Sequence, residues 1–160
     1  MVSFELVQST DKPPERAASL LAAWHQFHAG GAAGGELRPT RGDFTPFALK
    51  PWLGNIDIYD VEGGDTAETL TFRMRLNGSE VVAMTGENWT GKTAHDIDRH
   101  FGVSLHDDFL KVYRSRQPLA DHIRIFQKEY LTAYRVLLPV FSEAGDGRVV
   151  QVFLAVFPLR

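Results

Sequence analysis

The order of strand-like and helix-like segments limits the folds open to this chain more than any other feature of its sequence. Residues 56–61 and 70–76 alternate apolar and polar side chains, as half-buried strands do. Three more strand patterns follow at 122–126, 130–141 and 149–157, after a run of helical segments. Strands in hairpin succession pair antiparallel. The sequence therefore predicts an α+β fold with a five-stranded antiparallel sheet.

One block of helical segments separates the second predicted strand from the third. Residues 79–101 show no clean period and predict short helical turns, with Gly86 and Gly91 as breakers. Residues 104–116 carry a helical stripe of apolar side chains, and Ser104 is placed to cap the start of that helix. We expect this block to cover one face of the sheet.

An amphipathic helix is predicted ahead of the sheet. Pro14 suits its first turn, and the glycine-rich run at 30–35 ends it. The sequence therefore predicts a helix with a glycine-rich joint over 1–35 and a separate domain over 36–160. The apolar face of the helix either packs on that domain or forms a homodimer with a second subunit. Its members, at helical spacing, are Leu20, Leu21, Trp24 and Phe27.

Composition argues against several partners and chemistries. The 160 residues include 17 basic and 20 acidic side chains, a formal net charge of -3, which gives no reason to expect a nucleic acid partner. Cys is absent, which excludes disulfides, thiolate metal sites and Cys nucleophiles and fits a reducing compartment. The start of the chain lacks the pattern of a secretion signal, and the apolar runs are shorter than a membrane span. We therefore expect a cytoplasmic protein without a membrane partner.

Four short motifs resemble those of one protein family. The segment 38–46 reads Arg-Pro-Thr-Arg-Gly-Asp-Phe-Thr-Pro, and the second strand at 72–78 reads Phe-Arg-Met-Arg-Leu-Asn-Gly. The segment 88–92 reads Asn-Trp-Thr-Gly-Lys, with Trp where the family usually has Leu, and 139–141 reads Pro-Val-Phe. In this order, over residues 37–157, the motifs resemble a PAS-domain family of short stand-alone proteins found in alphaproteobacteria.

The resemblance implies a PAS-like sheet with helices on one face. It also implies a sensory or signalling module, not an enzyme, that binds a small ligand, a protein partner or both. Arg75 and Arg135, on strands expected to be neighbours, are candidates for binding an anionic group. The alternative is that the aromatic side chains fill the core and the Arg side chains lie on the solvent face. The candidate pocket residues are Phe72, Arg75, Trp89, Phe101, Phe109, Tyr113, Phe126, Tyr134 and Arg135.

Residues 86–93 match the pattern Gly-x-x-x-x-Gly-Lys-Ser/Thr of a phosphate-binding P-loop. A P-loop connects a buried strand to a long helix and is followed by a strand that ends in an Asp for Mg²⁺. Gly102 interrupts the helix that would follow, and too little chain remains for a parallel sheet. A chance match within a PAS-type turn is favoured, and a nucleotide binder is the remote alternative.

The six His residues form no recognisable site. His25 and His28 share a predicted helix, but spacing places no third ligand near them, so no metal site is predicted and scattered surface His is the simpler interpretation. The cofactor is unknown and none is required by the sequence. Among PAS domains, some bind haem through a His, which leaves His106 as the haem candidate here, although neither haem nor flavin is favoured. A competing class is a small cone-shaped α+β enzyme of the cyclase or isomerase kind, with a His–Asp pair in an apolar cavity.

Overall fold

A five-stranded sheet forms the centre of the fold. The computed structural model describes residues 12–27, 38–124 and 132–159. The strands are β1 Ile56–Glu62, β2 Thr71–Leu76, β3 Leu119–Arg124, β4 Thr132–Phe141 and β5 Val149–Pro158. Their order in the sheet is β2-β1-β5-β4-β3, and each pair of neighbours is antiparallel. The predicted α+β fold with a five-stranded antiparallel sheet is confirmed, and the arrangement is consistent with a PAS-like layout.

Short helices precede the sheet and interrupt it once. They are α1 Glu15–Gln26, α2 Pro46–Leu49, α3 Ser79–Thr85, α4 Ala94–Phe101 and α5 Leu105–Ser115. Helices α3 to α5 form the predicted block between β2 and β3. Gly86 ends α3 because it adopts a left-handed conformation with a φ of 84°. A capping box made by Thr93 and Asp96 then starts α4.

Strand β5 separates two packed layers, because its alternate side chains point to opposite faces of the sheet. On the outer face, Phe153 packs against Phe44 with ring centroids 5.1 Å apart, and the Arg16 guanidinium of α1 lies 5.2 Å from the Phe157 ring centroid. On the inner face, Leu154 contacts the space under helices α3 to α5. Helix α1 therefore covers the face opposite to the helical block, which is why β5 carries apolar side chains toward both faces and is buried along most of its length.

The apolar face of α1 packs on its own chain. Leu20 is buried, Trp24 is 1% exposed, and the Trp24 Nε1–H donates a 2.9 Å hydrogen bond to the Pro139 carbonyl oxygen on β4. Leu21 and Phe27 are partly buried against the same core. The first of the two interpretations of this helix therefore holds. The prediction of a dimer interface is wrong for Leu20 and Trp24, because the sheet already covers both side chains.

Helix α5 begins with a cap that its local sequence does not reveal. Ser104 occupies the N-cap position but makes no side-chain cap hydrogen bond. The Asp98 carboxylate of α4 instead accepts hydrogen bonds from the backbone N–H of Leu105, at 2.6 Å, and of His106, at 3.1 Å. The predicted cap by Ser104 is therefore wrong. Asp98 is effective because a negative charge at a helix N-terminus both accepts these bonds and complements the helix dipole.

The predicted joint between the helix and the domain lies beyond the part of the chain that the structure describes. The glycine-rich joint at 30–35 is outside the described ranges, so the division of the chain at residue 35 stays a prediction. Within the described ranges, no helix has both the length and the apolar composition needed to cross a bilayer.

Candidate functional site

A cavity of about 390 Å³ lies between the inner face of the sheet and helices α3 to α5. Small-molecule sites in proteins have volumes of about 300–1,000 Å³ and mainly apolar walls. We call this space the inner cavity. Its lining residues are Asp57, Tyr59, Met74, Asn77, Val81, Met84, Thr85, Trp89, Ile97, Phe101, Val103, Ser104, Leu105, Asp108, Ile123, Arg124, Arg135, Leu154 and Val156.

Regular secondary structure positions the walls of the inner cavity. Leu154 and Val156 are separated by two positions on β5, so both point to the inner face and form the floor. Met84 of α3 and Ile97 of α4 contribute to the opposite wall, and both are buried. The walls are therefore mainly apolar side chains held on helices and strands, an arrangement suited to binding a compact organic molecule.

Three of the predicted pocket residues line the inner cavity: Trp89, Phe101 and Arg135. The rings of Trp89 and Phe101 pack together with centroids 5.6 Å apart. The Trp89 Nε1–H is buried and has no hydrogen-bond partner among the described residues. Trp89 and Phe101, which the sequence predicts as pocket residues, therefore form the aromatic part of the cavity wall that follows α3.

Three other predicted residues fill the core beside the cavity instead of lining it. Phe72 and Phe109 are fully buried, and their ring centroids are 5.2 Å apart. Tyr113 lies 6.5 Å from Phe72, and Tyr59 lies 4.6 Å from Phe109, all in edge-on geometry. The predicted pocket role is wrong for Phe72, Phe109 and Tyr113, because these rings pack against one another. Tyr59, which is not among the predicted pocket residues, is the member of this aromatic cluster that lines the cavity.

Two further predicted residues, Arg75 and Tyr134, do not reach the cavity. Arg75 bonds Asp60 at 3.2 Å with its side chain 55% exposed, and Tyr134 packs edge-on against His122 at 4.8 Å. The pocket role is wrong for both, since Tyr134 alternates with Arg135 along β4 and therefore points to the outer face. A joint anion site of Arg75 and Arg135 is also wrong, because β1 and β5 lie between their strands. Phe126 is outside the described residues.

Arg135 is held by two carboxylates on the inner face. Its Nε–H donates to Asp121 at 2.6 Å, and its Nη2 donates to Asp108 at 2.8 Å and to Asp121 at 2.9 Å. Burial alone would lower the pKa of Arg135, but the hydrogen bonds from its guanidinium to Asp121 and Asp108 raise it above its ordinary value. The charge of this cavity residue is therefore already neutralised within the protein, which argues against the predicted anionic ligand.

Asp57 is a buried acid on the opposite side of the inner cavity. Its Oδ1 accepts hydrogen bonds from Asn77 Nδ2, at 2.7 Å, and from the Gly78 backbone N–H, at 2.8 Å. Burial raises its pKa to about 7, although the bonds to Gly78 and Asn77 act in the opposite direction. The sequence does not single out Asp57, because a polar residue in a half-buried strand is expected to face solvent. The available signal was its parity on β1, which places it on the same side as Tyr59.

The P-loop interpretation of residues 86–93 is wrong. This segment connects two helices, α3 and α4, and does not follow a strand. The Gly91 N–H donates to the Met74 carbonyl oxygen, and the Lys92 carbonyl oxygen accepts from the Met74 N–H, each at 2.8 Å. The Lys92 side chain is exposed. These backbone groups are therefore committed to the edge of β2, and the antiparallel sheet supplies no nucleotide-binding crossover.

His106 is buried, which the prediction of surface His did not anticipate. Its ring stacks on His95 with centroids 3.7 Å apart and packs edge-on against Phe72 at 5.4 Å. Burial first, and then the neighbouring His95, lower the pKa of His106. His106 lies outside the lining of the inner cavity, so it is not placed to hold a haem there. Within the described residues, no three His, Asp or Glu side chains are grouped to hold a metal ion.

Comparison with known proteins adds no assignment to this geometry. No protein-family model matches the chain, and no curated protein matches its sequence. The functional interpretation therefore depends on the inner cavity and on the strands that form it.

Proposed function

We propose that this chain is a PAS-type sensory module that binds a small ligand in the inner cavity and signals its occupancy through α1. The observation that carries this proposal is the cavity of about 390 Å³ between the inner face of the sheet and helices α3 to α5. The motifs at 38–46, 72–78 and 88–92 and the five-stranded sheet support the same class.

Strand β5 offers the physical route from ligand to output. Leu154 and Val156 form the floor of the cavity, and Phe153 and Phe157 lie on the outer face toward α1 and its neighbours. Packed interiors do not deform continuously, so a ligand that pushes on the floor changes the contacts of the outer face. A ligand with different affinity for two arrangements of α1 would shift the population between them.

Tryptophan indole signals give a direct test. The chain has three Trp residues, of which Trp89 lines the cavity and Trp24 bonds Pro139 on the far side of the sheet. A fragment library is screened against ¹⁵N-labelled protein, with indole signals assigned from Trp→Phe variants. We expect bound fragments to shift the signals of both Trp89 and Trp24.

Filling the cavity provides the control for this experiment. Leu154→Phe places a larger ring on the cavity floor and is expected to weaken fragment binding at least tenfold, about 1.4 kcal/mol or more. Leu76→Phe, at a partly exposed position of β2 outside the cavity, leaves binding unchanged. Binding that survives Leu154→Phe contradicts the cavity as the site. A shift of Trp89 without any shift of Trp24 contradicts signalling through α1.

Asp57 supports one second candidate, the small enzyme with an apolar cavity. A buried acid with a pKa of about 7 is suited to proton transfer near neutral pH. The predicted His–Asp pair is not its basis, since no His among the described residues lines the cavity. Mass spectrometry of a bound fragment after prolonged incubation separates the classes. A product that forms with the wild type and not with Asp57→Asn favours the enzyme.

The partner, the homodimer and the cytoplasmic location stay predictions from the sequence. Light scattering of the full chain measures its mass in solution and tests the homodimer. A dimer in this arrangement would need a surface other than the buried side of α1 that contains Leu20 and Trp24.

A further inference from the structure

One carboxylate on the wall of the inner cavity lacks a cationic partner among the described residues. Asp108 bonds Arg135 at 2.8 Å and lies 3.8 Å from the Lys111 Nζ. Among the residues that the structure describes, Asp57 in contrast has only the uncharged donors Asn77 and Gly78, and both of them bond its Oδ1. No described residue donates a hydrogen bond to its Oδ2. The carboxylate thus retains an acceptor that the described part of the chain does not use.

The surroundings of Asp57 make that unused acceptor energetically important. The Asp57 residue is 2% exposed, and Leu154 lies opposite to it in the pairing of β1 with β5. Tyr59 and Met74 lie on the same wall of the cavity. An ionised carboxylate among apolar groups is costly unless it is paired. Near neutral pH, Asp57 is therefore partly protonated in the empty cavity, and a cation that enters the cavity would favour its ionised form.

Arg135, on the opposite side of the cavity, is not a free binding site for an anion. Arg135 lies two strands and two residues away from the position of Asp57, about 12 Å across the sheet at ordinary strand spacings. Its guanidinium is already bonded to Asp108 and Asp121. The floor between the two sites is formed by the apolar Leu154 and Val156. A ligand that spans this space meets a carboxylate at one end and apolar surface along its length.

We propose that the ligand of the inner cavity carries a protonated amine on an apolar body, with the ammonium on Asp57 Oδ2. The apolar body then lies over Leu154 and Val156 and against the rings of Trp89 and Phe101. This inference rests on the proposed function, because it specifies the ligand of the same cavity. The raised pKa of Asp57 agrees with a buried carboxylate that has no positively charged partner among the described residues.

Three probes with one apolar body and different head groups test the inference. These are 4-phenylbutylamine, 4-phenylbutan-1-ol and 4-phenylbutyrate, each titrated calorimetrically into the full chain at neutral pH. We expect the amine to bind at least tenfold more tightly than the alcohol, and the carboxylate to bind most weakly. Binding of the amine should also release up to about half a proton, since Asp57 becomes fully ionised beside the ammonium.

A matched pair of variants assigns the effect to one residue. Asp57→Asn should weaken the amine at least tenfold and leave the alcohol within twofold. Asp60→Asn is the control, because Asp60 lies on the outer face of the same strand, bonded to Arg75 and Gln151. It should leave all three affinities unchanged. If Asp57→Asn does not fold, the order of the three probes and the proton release on wild-type protein still decide the question.

The outcomes separate this inference from the proposed function. Equal affinities for amine and alcohol, or a tighter carboxylate, overturn the amine inference and leave the cavity as a binding site. An Asp57→Asn variant that binds the amine as well as the wild type does the same. If none of the probes binds at millimolar concentration, the amine inference fails. If the fragment library fails as well, the ligand-binding function fails with it.

Discussion

The indole nitrogen of Trp24 donates a 2.9 Å hydrogen bond to the carbonyl oxygen of Pro139, 115 residues later in the chain. This bond joins α1 to β4 at a buried position, and Trp24 itself is 1% exposed. Helix α1 is therefore packed as part of the same hydrophobic core as the sheet. Any movement of β4 or β5 therefore changes the contacts of α1 with the sheet.

Trp24→Phe is expected to lower the free energy of unfolding by about 1–3 kcal/mol, because the buried Pro139 carbonyl loses its partner. Urea denaturation followed by circular dichroism measures the change. Trp52→Phe is the matched control, since Trp52 donates a 3.0 Å bond to the Ser19 hydroxyl in a part-buried setting. That hydroxyl can turn to another partner, so a smaller loss is expected. Equal losses for the two variants would contradict the special role of Trp24.

Asp57 is expected to make the folded state less stable as pH rises. Its pKa is 3.8 in the unfolded reference and about 7 in the folded state. The folded protein therefore holds the proton more tightly, and the stabilisation by the protonated acid is present below about pH 4 and lost as pH rises toward 7. At 1.36 kcal/mol for each pKa unit, the loss is about 4 kcal/mol at most.

The Asp57→Asn variant isolates this contribution, because it cannot titrate. The difference in unfolding free energy, wild type minus variant, should fall between pH 4 and pH 8 and then stay constant. Urea titrations at several pH values measure it, with Asp60→Asn as the control on the outer face of β1. If the unfolding free energies of the wild type and of Asp57→Asn run parallel across this pH range, burial does not raise the pKa of Asp57.

Arg135 and Arg75 provide a pair of ion pairs that differ in burial. The Arg135 side chain is 10% exposed and bonds two carboxylates, one of which, Asp121, is itself 44% exposed. Arg135→Gln should therefore cost about 2–3 kcal/mol of stability, somewhat less than for a fully buried pair. Arg75→Gln, at an exposed pair, should cost about 0–1 kcal/mol. Chemical denaturation at neutral pH measures both, and a reversed order would contradict the structure.

The cap of α5 gives a fourth prediction. Asp98→Ala removes the acceptor of the Leu105 and His106 N–H groups, so we expect a loss of about 1–2 kcal/mol in unfolding free energy. Ser104→Ala, at the position that local sequence favours, should cost less than about 0.5 kcal/mol, because its side chain makes no cap bond. Thermal and urea denaturation of both variants measure the difference. A larger loss of stability for Ser104→Ala than for Asp98→Ala would contradict the cap by Asp98 and favour a cap by Ser104.

Secondary structure was predictable from this sequence because its signals are local. The alternation at 56–61 became β1, and the stripe after Ser104 became α5. Strands β4 and β5 were also found, but each has apolar side chains at both alternating sets of positions, so the pattern does not reveal which side chains face which layer. One step of parity separates Arg135 in the cavity from Tyr134 on the outer face. The sequence predicted both as pocket residues for that reason.

The polar part of the site was not predictable, because it depends on long-range pairing. Asp121 and Asp108 meet Arg135 from 14 and 27 residues away. The strand order places two strands between β2 and β4, which separates Arg75 from Arg135 and removes the expected anion site. Asp57 was not predicted as a site residue, because a polar residue in an alternating strand is expected to face solvent. In this sheet, helices cover both faces, so Asp57 is buried.

The pairing of Gly91 and Lys92 with Met74 has a consequence for solubility. Strand β2 is at the margin of the sheet, where unpaired peptide groups invite aggregation with other chains. Gly91 and Lys92, which belong to the segment that matches the P-loop pattern, form hydrogen bonds with the carbonyl oxygen and the N–H of Met74. Gly91 has a φ of 90°, so a larger residue there strains the turn. Damage to this segment should therefore appear as self-association of the protein and not as the loss of a nucleotide.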